Sequence, residues 1–186
     1  TGQADAFLKG FVEDFKPAFE QKYAISSNKS LCIIMGADVA GLFAFYATMQ
    51  HPNLFGRCVM FSPAFWYNRQ EMRDFIDNER LTPTDTRFVF VQTSADTQWI
   101  TDEIEYYSSW LFNKNYVVSN YEVEGEHDDR TWGSVFGEVL TEEPLYMSNT
   151  SKKSVQKSMN NADITWYFMK GEGTTSLTCD GTPTQK

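Results

Sequence analysis

The stretch CIIMGADVAGLFAFYATMQHPNLFG, residues 32–56, decides the fold of this chain. It begins with a short apolar run typical of a buried strand, passes through small residues around Asp38, and continues as a long apolar run of helical length. His51 and Pro52 then end the helix, because the residue before a proline disfavours helical backbone. A strand, a tight turn and a helix in this order form the repeating unit of parallel α/β folds.

The same alternation continues on both sides of this stretch. Further strands are predicted at residues 58–61, 87–92 and 117–122, and helices at residues 6–23, 69–79, 102–113 and 131–140. Pro17 is expected to bend the first helix. Because strands that alternate with helices lie parallel and are covered on both faces, residues 1–140 are predicted to form a sandwich of helices on a mostly parallel sheet.

The texture of the sequence changes from residue 141 onward. Residues 148–161 are rich in Ser, Lys and Asn, which predicts a polar linker. Two runs that follow, residues 163–170 and 174–179, are predicted to pair as a β-hairpin. Residues 141–186 are therefore interpreted as a linker and hairpin extension of the α/β part.

Composition excludes several classes of partner. The chain carries 16 basic and 25 acidic residues, a net charge of −9, so its field repels nucleic acids and anionic membrane surfaces. No apolar run approaches the roughly 20 residues that cross a bilayer. Three cysteines without a CxxC pair indicate neither a zinc knuckle nor a disulfide framework. None of these features assigns the protein to a cellular compartment.

The turn at Asp38 has the pattern Gly36-x-nucleophile-x-Ala40 between a strand and a helix. A nucleophile elbow uses small neighbours because its central residue adopts a strained backbone conformation that brings strand and helix close together. The alternative interpretation is an ordinary tight turn in which the Asp38 side chain caps the following helix.

Two further segments favour the elbow. His127 follows the strand at residues 117–122, where this architecture places its general base, whereas His51 is interpreted as a surface or capping residue. Asp96 follows the strand at residues 87–92, where a carboxylate is able to orient an imidazole, with Asp102 as the second choice. The order of nucleophile, acid and base is the order of the α/β-hydrolases.

A family resemblance is carried by two phrases. Residues 41–68, GLFAFYATMQHPNLFGRCVMFSPAFWYN, and residues 124–132, EGEHDDRTW, resemble the segments that follow the nucleophile and contain the catalytic histidine in the putative-esterase family of α/β-hydrolases. That family includes esterase D and the enterochelin esterases. The resemblance implies an α/β-hydrolase fold whose N-terminal strands are missing from this chain, and it implies that Asp38 replaces the nucleophilic serine.

The replacement bears directly on the reaction. A serine triad needs a neutral hydroxyl that gives its proton to histidine, whereas an aspartate is ionised at neutral pH and is expected to form an ion pair with His127. The segment that normally supplies half of the oxyanion hole is also expected upstream of residue 1. Ester hydrolysis by the family mechanism is therefore expected to fail.

Three functions remain open at this point. The chain is a domain that has lost catalysis and acts as a binding or structural module, or an active hydrolase of carboxylic esters, or a hydrolase of epoxide or haloalkane substrates with Asp38 as nucleophile. The expected partners are a small-molecule ester or carbohydrate-linked ligand and an N-terminal fragment or partner chain that completes the sheet. No cofactor and no metal are expected, since no second histidine stands at ligand spacing from His127. The aromatic residues Phe65, Trp66, Tyr67 and Trp99 suit either a pocket floor for sugars or aryl groups or core packing, and core packing is the expectation.

Overall fold

The computed structural model describes residues 3–78 and 85–141. The strands are β1 (Ile33–Ala37), β2 (Arg57–Phe61), β3 (Arg87–Thr93) and β4 (Val117–Val123). The helices are α1 (Ala4–Gly10), α2 (Lys16–Tyr23), α3 (Val39–Gln50), α4 (Arg69–Asn78), α5 (Gln98–Asn113), α6 (Asp129–Ser134) and α7 (Phe136–Thr141). The predicted linker and hairpin lie outside the described residues.

The sheet is parallel throughout its four strands, in the order β1-β2-β3-β4. Its register aligns the carboxyl ends of the strands, with Ala37 opposite Phe61, Phe61 opposite Val91, and Thr93 opposite Val123. Helices alternate with the strands, so the predicted α/β-hydrolase-like architecture is confirmed for the described residues. The segments that follow the strands therefore meet at the carboxyl edge of the sheet, where the C-terminal ends of all four strands lie.

Alternate strand residues face two separate apolar layers, as the twofold period of a strand requires. On one face Ile34, Met60 and Phe90 join a large cluster with Phe45 of α3 and Tyr107 of α5. On the opposite face, strand side chains pack against the end of α7 in a smaller cluster. Its buried members are Met35, Val59, Phe61, Val89, Val91, Val139 and Leu140. Both faces of the sheet are thus covered, which explains why its strands are apolar runs.

A short π-helical segment precedes Pro17, the residue that is predicted to bend the first helix. Residues Phe11–Phe15 are π-helical between α1 and α2, and the amide of Lys16 donates to the carbonyl of Phe11, five residues back. Proline has no amide hydrogen to continue the regular α-helical ladder, so one wider turn next to Pro17 keeps the chain helical. Helical backbone therefore runs without interruption from Ala4 to Tyr23 through one π-helical segment.

Two other helices differ from their predicted bounds. The helix predicted at residues 131–140 is divided into α6 and α7 at Val135, whose φ is −108° and ψ 1°. Gly133 and Gly137 on either side lower the helix propensity of this stretch. Helix α5 begins at Gln98, four residues before the predicted start at residue 102.

Among the described residues, no helix combines the length and apolar character needed to cross a membrane.

Candidate functional site

Asp38 occupies a strained turn between β1 and α3. Its φ of 52° and ψ of −121° are sparsely populated by any residue except glycine. The amide of Asp38 donates to the carbonyl of Phe61 at 2.9 Å, and its own carbonyl accepts from the amides of Gly41, Leu42 and Ala64 at 3.0–3.1 Å. Four backbone hydrogen bonds therefore hold this conformation in place.

The side chain of Asp38 does not cap helix α3, so the alternative interpretation of the turn is wrong. Among the residues the structure describes, none forms a hydrogen bond or an ion pair with its half-buried carboxylate. The expected ion pair between Asp38 and His127 is also absent there, and the carboxylate that His127 contacts is that of Asp96, through Nδ1. The Asp38 carboxylate thus has no hydrogen-bond or ion-pair partner among the described residues, and it lies at the carboxyl edge of the sheet.

The small residues around Asp38 are required by the close approach of strand and helix. A Cβ atom on Gly36 would lie 2.2 Å from the carbonyl oxygen of Ala40 and 2.7 Å from the amide nitrogen of Gly41. A Cβ atom on Gly41 would lie 3.1 Å from the carbonyl oxygen of Gly36 and 3.2 Å from Cα of Pro63. The turn therefore packs backbone closely against backbone, which requires glycine at position 36 and leaves little room for a side chain at position 41.

Asp96 lies in the loop after β3, and its carboxylate is held by four donors. Its Oδ1 accepts from Thr93 Oγ1 at 3.0 Å and lies 2.6 Å from His127 Nδ1. Its Oδ2 accepts from the Thr93 amide at 2.9 Å and from Ser62 Oγ at 2.7 Å. A carboxylate with this set of donors is oriented in a single way.

The same contacts set the charge of Asp96. Burial by itself would raise the pKa of this carboxyl group, but the hydrogen bonds from Ser62, His127 and Thr93 together outweigh burial, and the pKa lies below its ordinary value. Asp96 is therefore ionised at neutral pH. An ionised carboxylate only accepts hydrogen bonds, so His127 Nδ1 carries a proton and Nε2 lies on the side of the ring away from Asp96.

The loop that carries His127 is attached to the loop that carries Asp96. The Gly125 amide donates to Ser94 Oγ at 3.0 Å, and the Ala95 amide donates to the Gly125 carbonyl at 3.2 Å. Gly125 has a φ of +145°, and a Cβ there would lie 2.6 Å from Thr131 Oγ1. Glycine is thus favoured at position 125, because the chain has a positive φ there and passes close to Thr131 of α6 before it reaches His127.

Asp128 begins α6 directly after His127. Its carboxylate accepts from the amides of Arg130 at 3.1 Å and Thr131 at 2.9 Å, as an N-cap residue does. The hydrogen bonds from Thr131 are the main reason that the pKa of Asp128 lies below its ordinary value. Asp128 therefore fixes the start of the helix and the direction in which the chain leaves His127.

Sequence reasoning missed two residues of this site, Ser62 and Trp132. Trp132 Nε1 donates to Ser62 Oγ at 3.1 Å, and the rings of Trp132 and His127 make an edge-to-face contact with centroids 4.9 Å apart. Both residues stand in the phrases that carried the family resemblance, FSPAFW and EGEHDDRTW. That position in the sequence was the only available signal, since the positive φ of Ser62, 41°, does not follow from its residue type.

Two alternatives from the sequence lie outside this arrangement. Asp102 is on α5, where its Oδ1 accepts from Gln98 Nε2 at 2.7 Å on the exposed surface. His51 is the C-cap residue of α3, and its amide donates to the Ala47 carbonyl at 3.0 Å. Asp96 is therefore the carboxylate that contacts His127.

The aromatic residues near the sheet edge divide into two groups. Phe65 is fully buried and stacks on Tyr107 with ring centroids 4.0 Å apart, as expected for core packing. Trp66, Tyr67 and Trp99 are 47%, 56% and 68% exposed, so the expectation of core packing is wrong for these three. They follow β2 and β3 and hence stand at the edge that carries Asp38.

Metal ligands do not cluster in the described part of the chain. No group of three or more His, Cys, Asp or Glu side chains there is arranged to hold an ion. The polar groups that the described residues place at this edge include the contact between Asp96 and His127, the Asp38 carboxylate and the backbone amides that begin α3.

The family model described as "Putative esterase" matches residues 2–142. The chain belongs to the putative-esterase family. No curated protein matches the chain significantly. The sequence prediction of the family is confirmed.

Solved structures show the same fold at low sequence identity. The enterobactin esterase FES from Shigella flexneri is 17% identical with a TM-score of 0.62, over 70% of this chain and 36% of that one. The BES protein from Bacillus cereus is 22% identical with a TM-score of 0.57, over 75% and 54%. The siderophore hydrolase EstB from Aspergillus nidulans is 16% identical with a TM-score of 0.56, over 74% and 57%. The match thus spans between about a third and just over half of the length of these relatives.

Proposed function

We propose that this esterase-family domain carries a nucleophile elbow in which Asp38 has replaced the nucleophile, that it is impaired in ester hydrolysis, and that it acts as a binding or structural module. One observation carries the proposal. Asp38 has the strained φ of 52° and ψ of −121°, at the edge of the sheet where Asp96 and His127 form their pair. The backbone is arranged to present a nucleophile, but the side chain it presents is a carboxylate.

The chemistry of the carboxylate argues against the serine route. A serine attacks the ester carbonyl while histidine takes the hydroxyl proton, whereas an ionised aspartate has no proton to give to His127. Its attack on an ester carbonyl would form an anhydride, which is higher in energy than an acyl-serine. In this proposal Asp96 and His127 form an acid–base pair, but position 38 offers no hydroxyl group for the pair to activate.

A second component is expected for a complete site. The amide of Val39 is the first of α3 and has no acceptor within the helix, so it is one donor of an oxyanion hole. We propose that the other donor, and a strand that pairs with the free edge of β1, come from an N-terminal fragment or a partner chain. A small-molecule ester or carbohydrate-linked ligand would then contact Trp66, Tyr67 and Trp99.

The test replaces Asp38 with serine and so restores a hydroxyl group at the turn between β1 and α3. The parent chain, Asp38→Ser and Asp38→Ala are compared in p-nitrophenyl acetate hydrolysis, each with and without His127→Ala. We expect no hydrolysis above the buffer rate for the parent and for Asp38→Ala, and a gain for Asp38→Ser that falls on the order of 10²-fold when His127 is removed.

Two outcomes contradict parts of this proposal. Hydrolysis by the parent that is lost in His127→Ala would show that Asp38 does not impair the reaction. No gain from Asp38→Ser would show that the carboxylate is not the sole block, because the oxyanion hole or the pocket is lost as well. Each variant is first compared with the parent by circular dichroism, so that loss of fold is separated from loss of chemistry.

The open carboxylate of Asp38 favours a second candidate, a hydrolase of alkyl substrates. Its oxygen would attack a saturated carbon of a haloalkane, the halide would leave with the bonding electrons, and water activated by His127 would open the resulting alkyl ester. In this case His127→Ala accumulates the ester, and mass spectrometry finds the alkyl group on the peptide that contains Asp38. The same peptide stays unmodified in the matched variant with Asp38→Asn, and an unmodified peptide in both excludes this candidate.

A further inference from the structure

Four side chains at the sheet edge form a closed circuit of contacts. Trp132 Nε1 donates to Ser62 Oγ at 3.1 Å, Ser62 Oγ donates to Asp96 Oδ2 at 2.7 Å, and Asp96 Oδ1 lies 2.6 Å from His127 Nδ1. The His127 ring returns to Trp132 in an edge-to-face contact at 4.9 Å and 78°. The four residues come from the end of β2, the loop after β3, the loop after β4 and helix α6, so the circuit joins four separate segments.

The direction of the hydrogen bonds in this circuit is fixed by chemistry. The indole N–H of Trp132 is a donor only, so it leaves the Ser62 oxygen as the acceptor of that bond. The hydroxyl group has a single proton, and ionised Asp96 has none, so the Ser62 proton points to Asp96 Oδ2. The indole therefore orients the hydroxyl, and the hydroxyl in turn binds the carboxylate.

Ser62 is held at this place against its own backbone preference. It is fully buried, its φ is 41°, and its amide donates to the Val91 carbonyl at 2.7 Å. A left-handed backbone at a residue other than glycine is strained and persists where the surroundings over-determine it. The conformation turns the hydroxyl toward Asp96, so the strain has an identifiable consequence.

We propose that Ser62 and Trp132 are positioning residues, which act as an indole-to-hydroxyl relay that holds the Asp96 carboxylate, and through it His127, in one orientation. The relay deepens the proposed function, because it rests on Asp96 and His127 being the acid–base pair of this site. Trp132 acts at both ends of that pair, through Ser62 on the carboxylate and by ring contact on the imidazole.

The relay makes a prediction that does not depend on hydrolysis. The pKa of the Asp96 carboxyl group is measured from its ¹³C resonance in the parent, Ser62→Ala, Trp132→Phe and the double variant. Ser62→Ala removes a direct donor to the charged form, so the pKa of Asp96 rises by about one pH unit. Trp132→Phe keeps an aromatic ring against His127 but loses the indole N–H, so the rise is smaller.

The double variant distinguishes a relay from two independent contacts. If Trp132 acts on the carboxylate only through Ser62, the pKa of Asp96 in the double variant equals that in Ser62→Ala. Additive rises, or no rise in Trp132→Phe, would overturn the relay. No rise in Ser62→Ala would overturn the positioning role of Ser62 itself.

Two controls separate positioning from a merely structural role. Ser62→Gly also lacks the hydroxyl but relieves the backbone strain, so it raises the pKa of Asp96 as Ser62→Ala does while the protein is more stable than Ser62→Ala. The Asp85 carboxyl group, which pairs with Lys29 at 2.5 Å, serves as an internal reference whose pKa stays the same in every variant. A parallel change at both carboxyl groups would indicate a general loss of structure and would contradict the proposal.

Kinetics then connects the relay to the reaction. In the Asp38→Ser background, Ser62→Ala is expected to lower kcat for p-nitrophenyl acetate with little change in KM. If Asp38→Ser gains no activity, the part of the proposed function that assigns the loss of hydrolysis to Asp38 alone fails, while the NMR measurement still decides the relay. If activity appears and Ser62→Ala leaves kcat unchanged, the relay does not serve the acid–base pair.

Discussion

Asp38 and Ser62 are two neighbouring residues whose backbone lies where glycine is preferred. Both have a positive φ, 52° and 41°, and both are anchored by amides that donate to carbonyls at the ends of adjacent strands. Strain of this kind concentrates at functional sites, because a side chain that must point out of the sheet edge cannot do so from relaxed strand geometry. At this scale two strained residues lie next to each other at the C-terminal ends of the strands, as the proposed nucleophile elbow requires.

The pH dependence of stability is a prediction about one residue, Asp96. Its pKa is depressed in the folded protein, so its stabilisation is present above the unfolded value of about 3.9 and is lost as the pH falls through the folded pKa. Asp96→Asn cannot ionise, so the difference in unfolding free energy between parent and variant is largest near pH 7 and shrinks toward pH 3. Urea unfolding at pH 7, 5 and 3 measures this difference, and a constant difference would contradict it.

At the scale of the element, the unit of β1, the Asp38 turn and α3 is held by contact between backbones. The carbonyl of Asp38 accepts from two amides of α3 and from Ala64, so helix α3 and the loop after β2 share one oxygen atom as acceptor, while the Asp38 amide donates to Phe61 of β2. The loops after β3 and β4 are likewise joined at Gly125. The site therefore depends on how the elements meet rather than on the interior of any one element.

The close approach of β1 and α3 predicts a large effect of one methyl group. Gly36→Ala places a Cβ 2.2 Å from the Ala40 carbonyl oxygen, and the backbone must move, so we expect a loss of about 2–3 kcal/mol of unfolding free energy. The matched control is Gly10→Ala, since Gly10 has helical backbone and a Cβ there meets nothing within 4 Å.

Gly10→Ala is expected to stabilise the protein by about 0.5 kcal/mol, because alanine restricts the unfolded chain. Urea denaturation followed by fluorescence compares both variants with the parent. Equal effects of the two substitutions would show that the strand and helix do not approach as closely as the structure indicates.

At the scale of the whole molecule, the sheet is open along β1 within the described residues, where β1 pairs with β2 alone. The carbonyl of Cys32 accepts from the Gly56 amide, and the amide of Asp38 donates to Phe61, so the even-numbered positions of this strand face β2. Strand backbone groups alternate in direction, so the amide of Met35 faces the open edge although its side chain is buried. Such an edge is a template for another strand.

The open edge predicts a pattern of amide hydrogen exchange. In the chain by itself, we expect the Met35 amide to exchange at least about tenfold faster than the amides of Ile34 and Gly36, which point toward β2. Two-dimensional NMR in deuterated buffer measures the three rates in one sample. Slow exchange at Met35 would show that another segment or a second copy of the chain covers this edge in solution.

The sequence by itself determined the α/β class, the family and the identities of Asp38, Asp96 and His127 as the residues to examine. These follow from local information: apolar periodicity fixes strands and helices, and small residues around Asp38 mark a turn in which backbones must approach. The π-turn near Pro17 and the division at Val135 were not predicted, because each depends on how a helix accommodates one residue while packed on the sheet.

Only the tertiary structure decided which carboxylate meets His127, and it added Ser62 and Trp132 to the pair. Asp96 and Asp102 are both aspartates after the same strand, and six residues separate them in sequence, but one lies in the loop and the other on the outer face of α5. The parallel register brings the ends of β2, β3 and β4 to one edge, where contacts form between residues up to 70 positions apart. Local sequence patterns do not predict such long-range contacts, because the contacts are set by the packing of the whole sheet.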